Sequence, residues 1–396
     1  MGFIHLELRM ESVQAVKSEE FNQSQSDALQ WATVIGMIYL LLVAVGMIGS
    51  GFKWAAGGPE AAAQLFEFAT NPFMALIVGT MATAVVQSSS TVTSIIVGLV
   101  GGGMPVAVAI PMILGVNIGT TMTATLVSLG SLGKRKTFRR SFAAATVHGF
   151  FNLMAVFIFM PLEMATGFLE KLSSSLAHEV YSPGSSGVKM SGFDFVKPMT
   201  KPVIHLFSDA FSVLPGNYGG VALALTGLVF VFVSITILGK ILKKLMIGRA
   251  KDMLHKAIGN GAMKSIFSGA LITVAVQSSS TTTSLIVPLA GSGIFRLKDV
   301  YPFTLGANIG TCITALLAAT TVTGALAMQG LQIALVHLMF NTGAVVLIYG
   351  IPKLRVIPYN TARRFAQLAC RSKTIVFGYV FGVFFILPGL LIFITD

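Results

Sequence analysis

The sequence predicts an all-α integral membrane protein made of two inverted-topology repeats, each with a re-entrant helical hairpin and a broken transmembrane helix. Three observations predict it. Of 396 residues, 54% are apolar and only 11% charged, less than half the charged share of about 25% usual in soluble domains. Several apolar stretches reach the ~20 residues that a helical span needs. One motif also occurs twice: Gln87-Ser88-Ser89-Ser90-Thr91 returns as Gln277-Ser278-Ser279-Ser280-Thr281, 190 residues later.

Residues 1–30 are polar and carry Glu7, Glu11, Glu19, Glu20 and Asp27, so they are expected to form an N-terminal cytoplasmic tail or surface helix. Six stretches have the length of a span: 31–52, 104–129, 142–160, 218–238, 326–349 and 374–395. The first is too long, and its upstream flank too acidic, for a cleaved signal peptide. The expected divisions are a first membrane repeat (31–161), an external connector (162–218), a second membrane repeat (219–350), a basic cytoplasmic loop (351–373) and a final transmembrane helix (374–396). The connector holds five acids, four Lys and no Arg, and nothing in it suggests a catalytic domain.

The net charge of +12 is clustered. Lys134, Arg135, Lys136, Arg139 and Arg140 form one run, a second lies between Lys240 and Lys264, and a third between Lys353 and Lys373. Each adjoins an apolar segment, so the positive-inside rule places all three in the cytoplasm. That orientation puts the N-terminus in the cytoplasm and the C-terminus outside. Nucleic acid is excluded as a partner, because the basic runs are separated by spans and lack a binding fold. Two cysteines exclude a disulfide scaffold. Without a Walker motif, a metal-binding His pair or a nucleophile elbow, the chain does not read as an enzyme.

The repeat extends well beyond the serine motif. Positions 87–103 match 277–293 at 12 of 17 residues. Leu114-Gly115-Val116-Asn117-Ile118-Gly119-Thr120 returns as Leu305-Gly306-Ala307-Asn308-Ile309-Gly310-Thr311, and His148 and Asn152 return as His337 and Asn341. In copy one the loop after the second motif carries five positive charges, whereas its counterpart, 320–330, carries none. After the third motif the asymmetry reverses. The halves are therefore expected to thread the bilayer in opposite directions, an arrangement that recurs in transporters.

Residues 73–86 are 14 in number, about 21 Å as helix, which is too short for a ~30 Å hydrocarbon core. With 91–103 they suit a hairpin turning at Gln-Ser-Ser-Ser, and 266–276 with 282–293 suit its partner. A polar turn at membrane depth is tolerated only where it lines a cavity or packs in protein. Its hydroxyls can donate to an anion or coordinate a cation, and half-helix N-termini add positive partial charge. Asn117-Ile118-Gly119-Thr120 and Asn308-Ile309-Gly310-Thr311 have two readings. An unwound turn would free carbonyls for sodium; alternatively, the glycines let helices pack closely. His148, His337, Asn152 and Asn341 read chiefly as interhelical hydrogen-bonding residues, and Cys312 as a small packing residue.

These paired motifs resemble the type II sodium-dependent phosphate cotransporter family, over about 72–161 and from 259 onward. The compact size resembles a bacterial member. The resemblance implies sodium-driven uptake of inorganic phosphate, mainly HPO4 2−, by alternating access in a bacterial inner (plasma) membrane. Sodium is the coupling ion and no cofactor is implied. Phosphate would meet Gln87, Ser88, Ser89, Ser90, Thr91, Gln277, Ser278, Ser279, Ser280 and Thr281. Sodium would meet Gln87, Ser90, Asn117, Thr120, Gln277, Ser280, Asn308 and Thr311. Electrogenic relatives carry an acidic residue where this chain has Gly103, so the resemblance implies electroneutral cotransport of two sodium ions per divalent phosphate. A sodium-coupled carrier of another oxyanion is the alternative, ahead of an ion channel, for which no filter is recognisable.

Overall fold

The computed structural model describes residues 2–64, 71–181, 196–258, 261–322, 326–386 and 389–390, with side chains over these ranges except at 2–27, 59, 63, 181, 196–197, 243–257 and 373. Among the described residues it is all helical. The helices are α1 (Gly2–Ala56), α2 (Pro59–Gln64), α3 (Pro72–Val86), α4 (Ser89–Gly102), α5 (Val106–Gly119), α6 (Thr121–Leu129), α7 (Arg135–Thr166) and α8 (Phe168–Tyr181). After these come α9 (Val196–Phe211), α10 (Tyr218–Ala257), α11 (Ala262–Val276), α12 (Ser279–Ser292), α13 (Leu297–Ala319), α14 (Ala327–Ala344), α15 (Pro352–Ala369) and α16 (Lys373–Phe381).

Six described helices are long and apolar enough to cross a membrane: Ala28–Ala56, Val106–Leu129, Arg135–Thr166, Tyr218–Leu242, Leu297–Ala319 and Ala327–Tyr349. Leu297–Ala319 is absent from the six stretches read by hydropathy, because Lys298, Asp299 and Pro302 open it. The expected span 374–395 is described only as α16 and a π-helical continuation, Gly382–Ile386; apart from 389–390, the rest lies outside the described residues. So does the Ser/Pro/Gly stretch of the connector, 182–187.

The short helices turn where the sequence stops them. Asn71 caps α3 by accepting the Phe73 N–H at 2.9 Å, with Pro72 in the first turn. Gln87 then adopts φ 60°, and its N–H bonds to Thr83 O at 2.8 Å. Ser88 is extended and caps α4, its Oγ accepting the Thr91 N–H at 3.3 Å. The second pair repeats this. Gln277 has φ 54°, and Ser278 Oγ accepts the Thr281 N–H at 3.1 Å.

Packing crosses between the two halves of the chain. α3 lies along α5 and α11 along α13, but α4 packs on α13 and α14, while α12 packs on α6 and α7. Each hairpin thus leans its second arm on the other half. The axes come very close where Gly115 faces Leu76 O and Gly306 faces Ile266 O, since a Cβ at either glycine would overlap that carbonyl.

Two expectations need correction. The Asn-Ile-Gly-Thr segments are not unwound: α13 runs unbroken through Asn308 to Thr311, and Thr120 keeps right-handed geometry with its N–H on Val116 O. The neighbours explain it. A Cβ on Gly119 or Gly310 would meet Thr83 or Thr273, so these glycines serve close packing. The basic stretch 351–373 is mostly not a loop. It contains α15, whose Pro358, Ala362, Ala366 and Ala369 form a buried stripe at helical spacing while Arg355, Arg363 and Arg364 stay exposed. The connector 162–218 also holds packed helices. Leu169, Ser173 and Ala177 bury one stripe of α8, and Gln332 Nε2 donates to Glu170 O at 3.1 Å. Residues 2–30 continue the helix of the first span.

Overpacking at a backbone contact costs about 1–3 kcal/mol. Gly115→Val and Gly306→Val should therefore lower the melting temperature in detergent, whereas Gly133→Val, with no atom within 4 Å of the added carbon, should leave it near wild type. Equal melting of all three variants would refute the close-packing role.

Candidate functional site

The two serine turns meet. Ser89 Oγ lies 3.5 Å from Ser279 Oγ, and Ser280 Oγ donates to Gln87 O at 3.4 Å. Gln87, Ser88, Gln277 and Ser278 are half-buried; Ser89, Ser90, Ser279 and Ser280 are buried. Gln87 and Gln277 are the only non-glycine residues with positive φ among the described residues, a conformation rare outside glycine and often found at functional sites.

Their own side chains hold these turns. Gln87 Nε2 donates to Ala84 O at 2.6 Å, and Oε1 accepts from Thr123 Oγ1 at 2.8 Å. Gln277 Nε2 donates to Val274 O at 2.7 Å, and Oε1 accepts from Thr314 Oγ1 at 2.8 Å. Sequence reasoning missed Thr123 and Thr314. Extending the second-motif alignment three residues past Thr120 and Thr311 would have found both.

The other candidate residues have their own hydrogen-bond partners. Thr120 Oγ1 donates to Val116 O and Thr311 Oγ1 to Ala307 O, each within its own helix. Asn117 Nδ2 donates to Ile113 O. Among the described residues, no hydrogen bond joins these groups to the serine turns. Asn308 instead enters a directed chain across the halves. His148 Nε2–H donates to Asn308 Oδ1 (2.8 Å), Asn308 Nδ2 to Asn152 Oδ1 (2.9 Å), and Asn152 Nδ2 to Asn117 O (2.6 Å). Copy two has no such chain among the described residues. There Asn341 Nδ2 donates to His337 O, and Cys312 Sγ packs against Asn308 O and His337 O.

The copies also differ in how their hydroxyls are satisfied. In copy two Thr273 Oγ1 donates to Thr282 Oγ1 at 3.0 Å, and Thr283 Oγ1 to Ser279 O at 2.9 Å. Copy one has Val92 where copy two has Thr282, so Thr83 lacks that partner. The Thr83, Thr93 and Ser94 hydroxyls are buried and unpaired. Buried polar groups are normally paired; in the second half the Ser268 and Tyr301 hydroxyls are likewise buried and unpaired. Among the described residues no Asp, Glu, Lys or Arg is buried, and no three His, Cys, Asp or Glu group together. The polar residues buried among the described ones thus carry hydroxyls, amides and imidazoles but no carboxylate, ammonium or guanidinium.

A helical, multi-pass membrane protein with a neutral, hydroxyl-rich centre is the class that these features define. Within it, the chain belongs to the Na+/Pi-cotransporter family, whose profile matches residues 40–173 and 229–354. That family is one of transporters, not of enzymes. The chain is similar to sodium-dependent phosphate transport protein 2A of Rattus norvegicus (30% identity, covering 94% of this chain and 69% of the relative). It is also similar to 2A of Oryctolagus cuniculus (30%; 94% and 68%) and to 2B of Homo sapiens (28%; 90% and 64%). The chain spans about two thirds of the length of these curated relatives. No solved structure matches it.

Removing one partner of a buried hydrogen bond costs about 1–3 kcal/mol. His148→Ala and Asn308→Ala should each lower the melting temperature in detergent. Because the two residues share one bond, the double variant should lose less than the sum of the singles. Additive losses would show that the bond contributes nothing.

Proposed function

We propose that the chain imports inorganic phosphate, mainly HPO4 2−, in symport with sodium by alternating access. The observation that carries this reading is the meeting of the two serine turns, Ser89 against Ser279, in a core without fixed charge. In this reading the hairpins re-enter from opposite faces of a plasma membrane, the two halves are inverted, and the basic runs face the cytoplasm.

The electrostatics favour joint binding. A lone divalent anion in a neutral core is costly, and so is a lone sodium ion. Together they cancel. Hydroxyls and the N–H groups at the starts of α4 and α12 then need only replace water. Each ion improves the site for the other, which is coupling. Gln87 to Thr91 and Gln277 to Thr281 supply the phosphate donors. Sodium draws on Gln87, Ser90, Gln277 and Ser280, and the unpaired Thr83, Thr93 and Ser94 hydroxyls add candidate oxygens beside them. Asn117, Thr120, Asn308 and Thr311 are further sodium candidates: the Asn117 amide and the two threonine hydroxyls are used here as donors, and Asn308 Oδ1 accepts one bond, so oxygen lone pairs remain for a cation. Gly103 offers no carboxylate for a further sodium, so two sodium ions accompany each divalent phosphate and no net charge moves.

Labelled phosphate uptake into proteoliposomes tests this, with sodium and voltage set independently. Uptake should need a sodium gradient and be insensitive to voltage. Gln87→Ala and Gln277→Ala should each reduce it roughly tenfold or more at normal membrane insertion. Thr123→Val and Thr314→Val should reduce it less, since they only brace the turns. Wild-type uptake in the Gln87→Ala/Gln277→Ala double variant would refute the site, and a steady sodium-dependent phosphate current would refute electroneutrality.

A further inference from the structure

The face that carries the start of α7 holds a second polar feature, built from none of the residues assigned above to phosphate or sodium. A cavity of about 500 Å³ opens between α7, the α12–α13 turn and α15. Arg139 and Arg140 line it from α7, Arg296 from the turn, and Arg363 from α15, with Tyr359 and Gln367 beside them. A neighbouring hollow of about 430 Å³ shares Arg139 and Gln367 and adds Arg135 and Arg371. Among the described residues, no acid lines either space. Asp299, in the first turn of α13, already accepts the Arg296 backbone N–H at 3.2 Å.

Guanidinium groups gathered from two helices and a turn repel one another unless an anion sits among them. Their planar forks match phosphate oxygens in bidentate pairs. The walls include Ala143, Ala290, Phe295 and Leu297, and low-dielectric walls focus the field of like charges into the hollow. Basic pockets between helices at a membrane face suit anionic headgroups.

We infer that this basin binds a phosphate-bearing anion, either an anionic lipid headgroup or free phosphate, and thereby ties the α12–α13 turn to α7 and α15. Arg140 is already placed for this, its guanidinium lying against Gly293 at the end of α12, where a Cβ would overlap it. Since α12 is the second arm of a serine hairpin, an occupant of the basin would restrain that arm.

The test uses the purified full chain in sodium-free buffer, so that it stands apart from coupled transport. One arm follows labelled inorganic phosphate by equilibrium dialysis in lipid-free detergent. The other follows labelled phosphatidylglycerol retained in nanodiscs of phosphatidylcholine with phosphatidylglycerol. The variants are R296Q/R363Q and, with the start of α13 intact, R139Q/R363Q. K53Q is the control for charge loss elsewhere. Binding in either arm that both double variants weaken about tenfold, and K53Q does not, supports the site; the responding arm names the source. No binding in either arm, equal binding by wild type and double variants, or equal weakening by K53Q would overturn it.

Discussion

A peptide backbone that turns among packed helices has to find its hydrogen bonds within the protein, because buried polar groups left unpaired are costly. Much of the architecture follows from how Gln87 and Gln277 meet that demand. Each leaves the helix in a left-handed conformation, and each uses its own amide to bind the carbonyl three residues back and to receive a threonine hydroxyl from the helix behind. The next serine then caps a new helix. A short polar sequence thereby becomes a braced turn, and the two turns meet at Ser89 and Ser279.

That turn needs a scaffold, and each scaffold reaches into the other half of the chain. Because α4 rests on α13 and α14, and α12 on α6 and α7, neither hairpin can shift without disturbing helices of the opposite half. The chain His148–Asn308–Asn152–Asn117 runs through the same boundary. Any motion of one half against the other would have to re-partner these buried amides. Neutral amides suit such re-partnering, since breaking and remaking their bonds costs far less than separating a buried ion pair.

Duplicated sequence has not kept the halves equivalent. Val92 in place of a threonine orphans the Thr83 hydroxyl, and Cys312 in place of Thr121 changes what surrounds His337. The exposed arginines of α7 and α15 belong to a separate region, where α12 returns to the surface, and they make that end of one hairpin electrostatically distinct.

The amino-acid sequence by itself determined the helical membrane class, the duplicated motifs and where the short helices break at the two glutamines, because hydropathy, helix length and capping chemistry act over neighbouring residues. The bounds read for the hairpins, 73–86 with 91–103, sit within three residues of the observed helix ends. Only the tertiary structure decided which polar groups face one another. Alignment made Asn117 and Asn308 equivalent, yet only Asn308 meets His148. It left Gly119 and Gly310 open to unwinding or packing, and the choice fell to Thr83 and Thr273 on neighbouring helices. Thr123 and Thr314 looked like ordinary helix residues until folding brought the glutamines to them. Partnership across helices depends on crossing angle and depth, which neither spacing nor composition along one helix encodes.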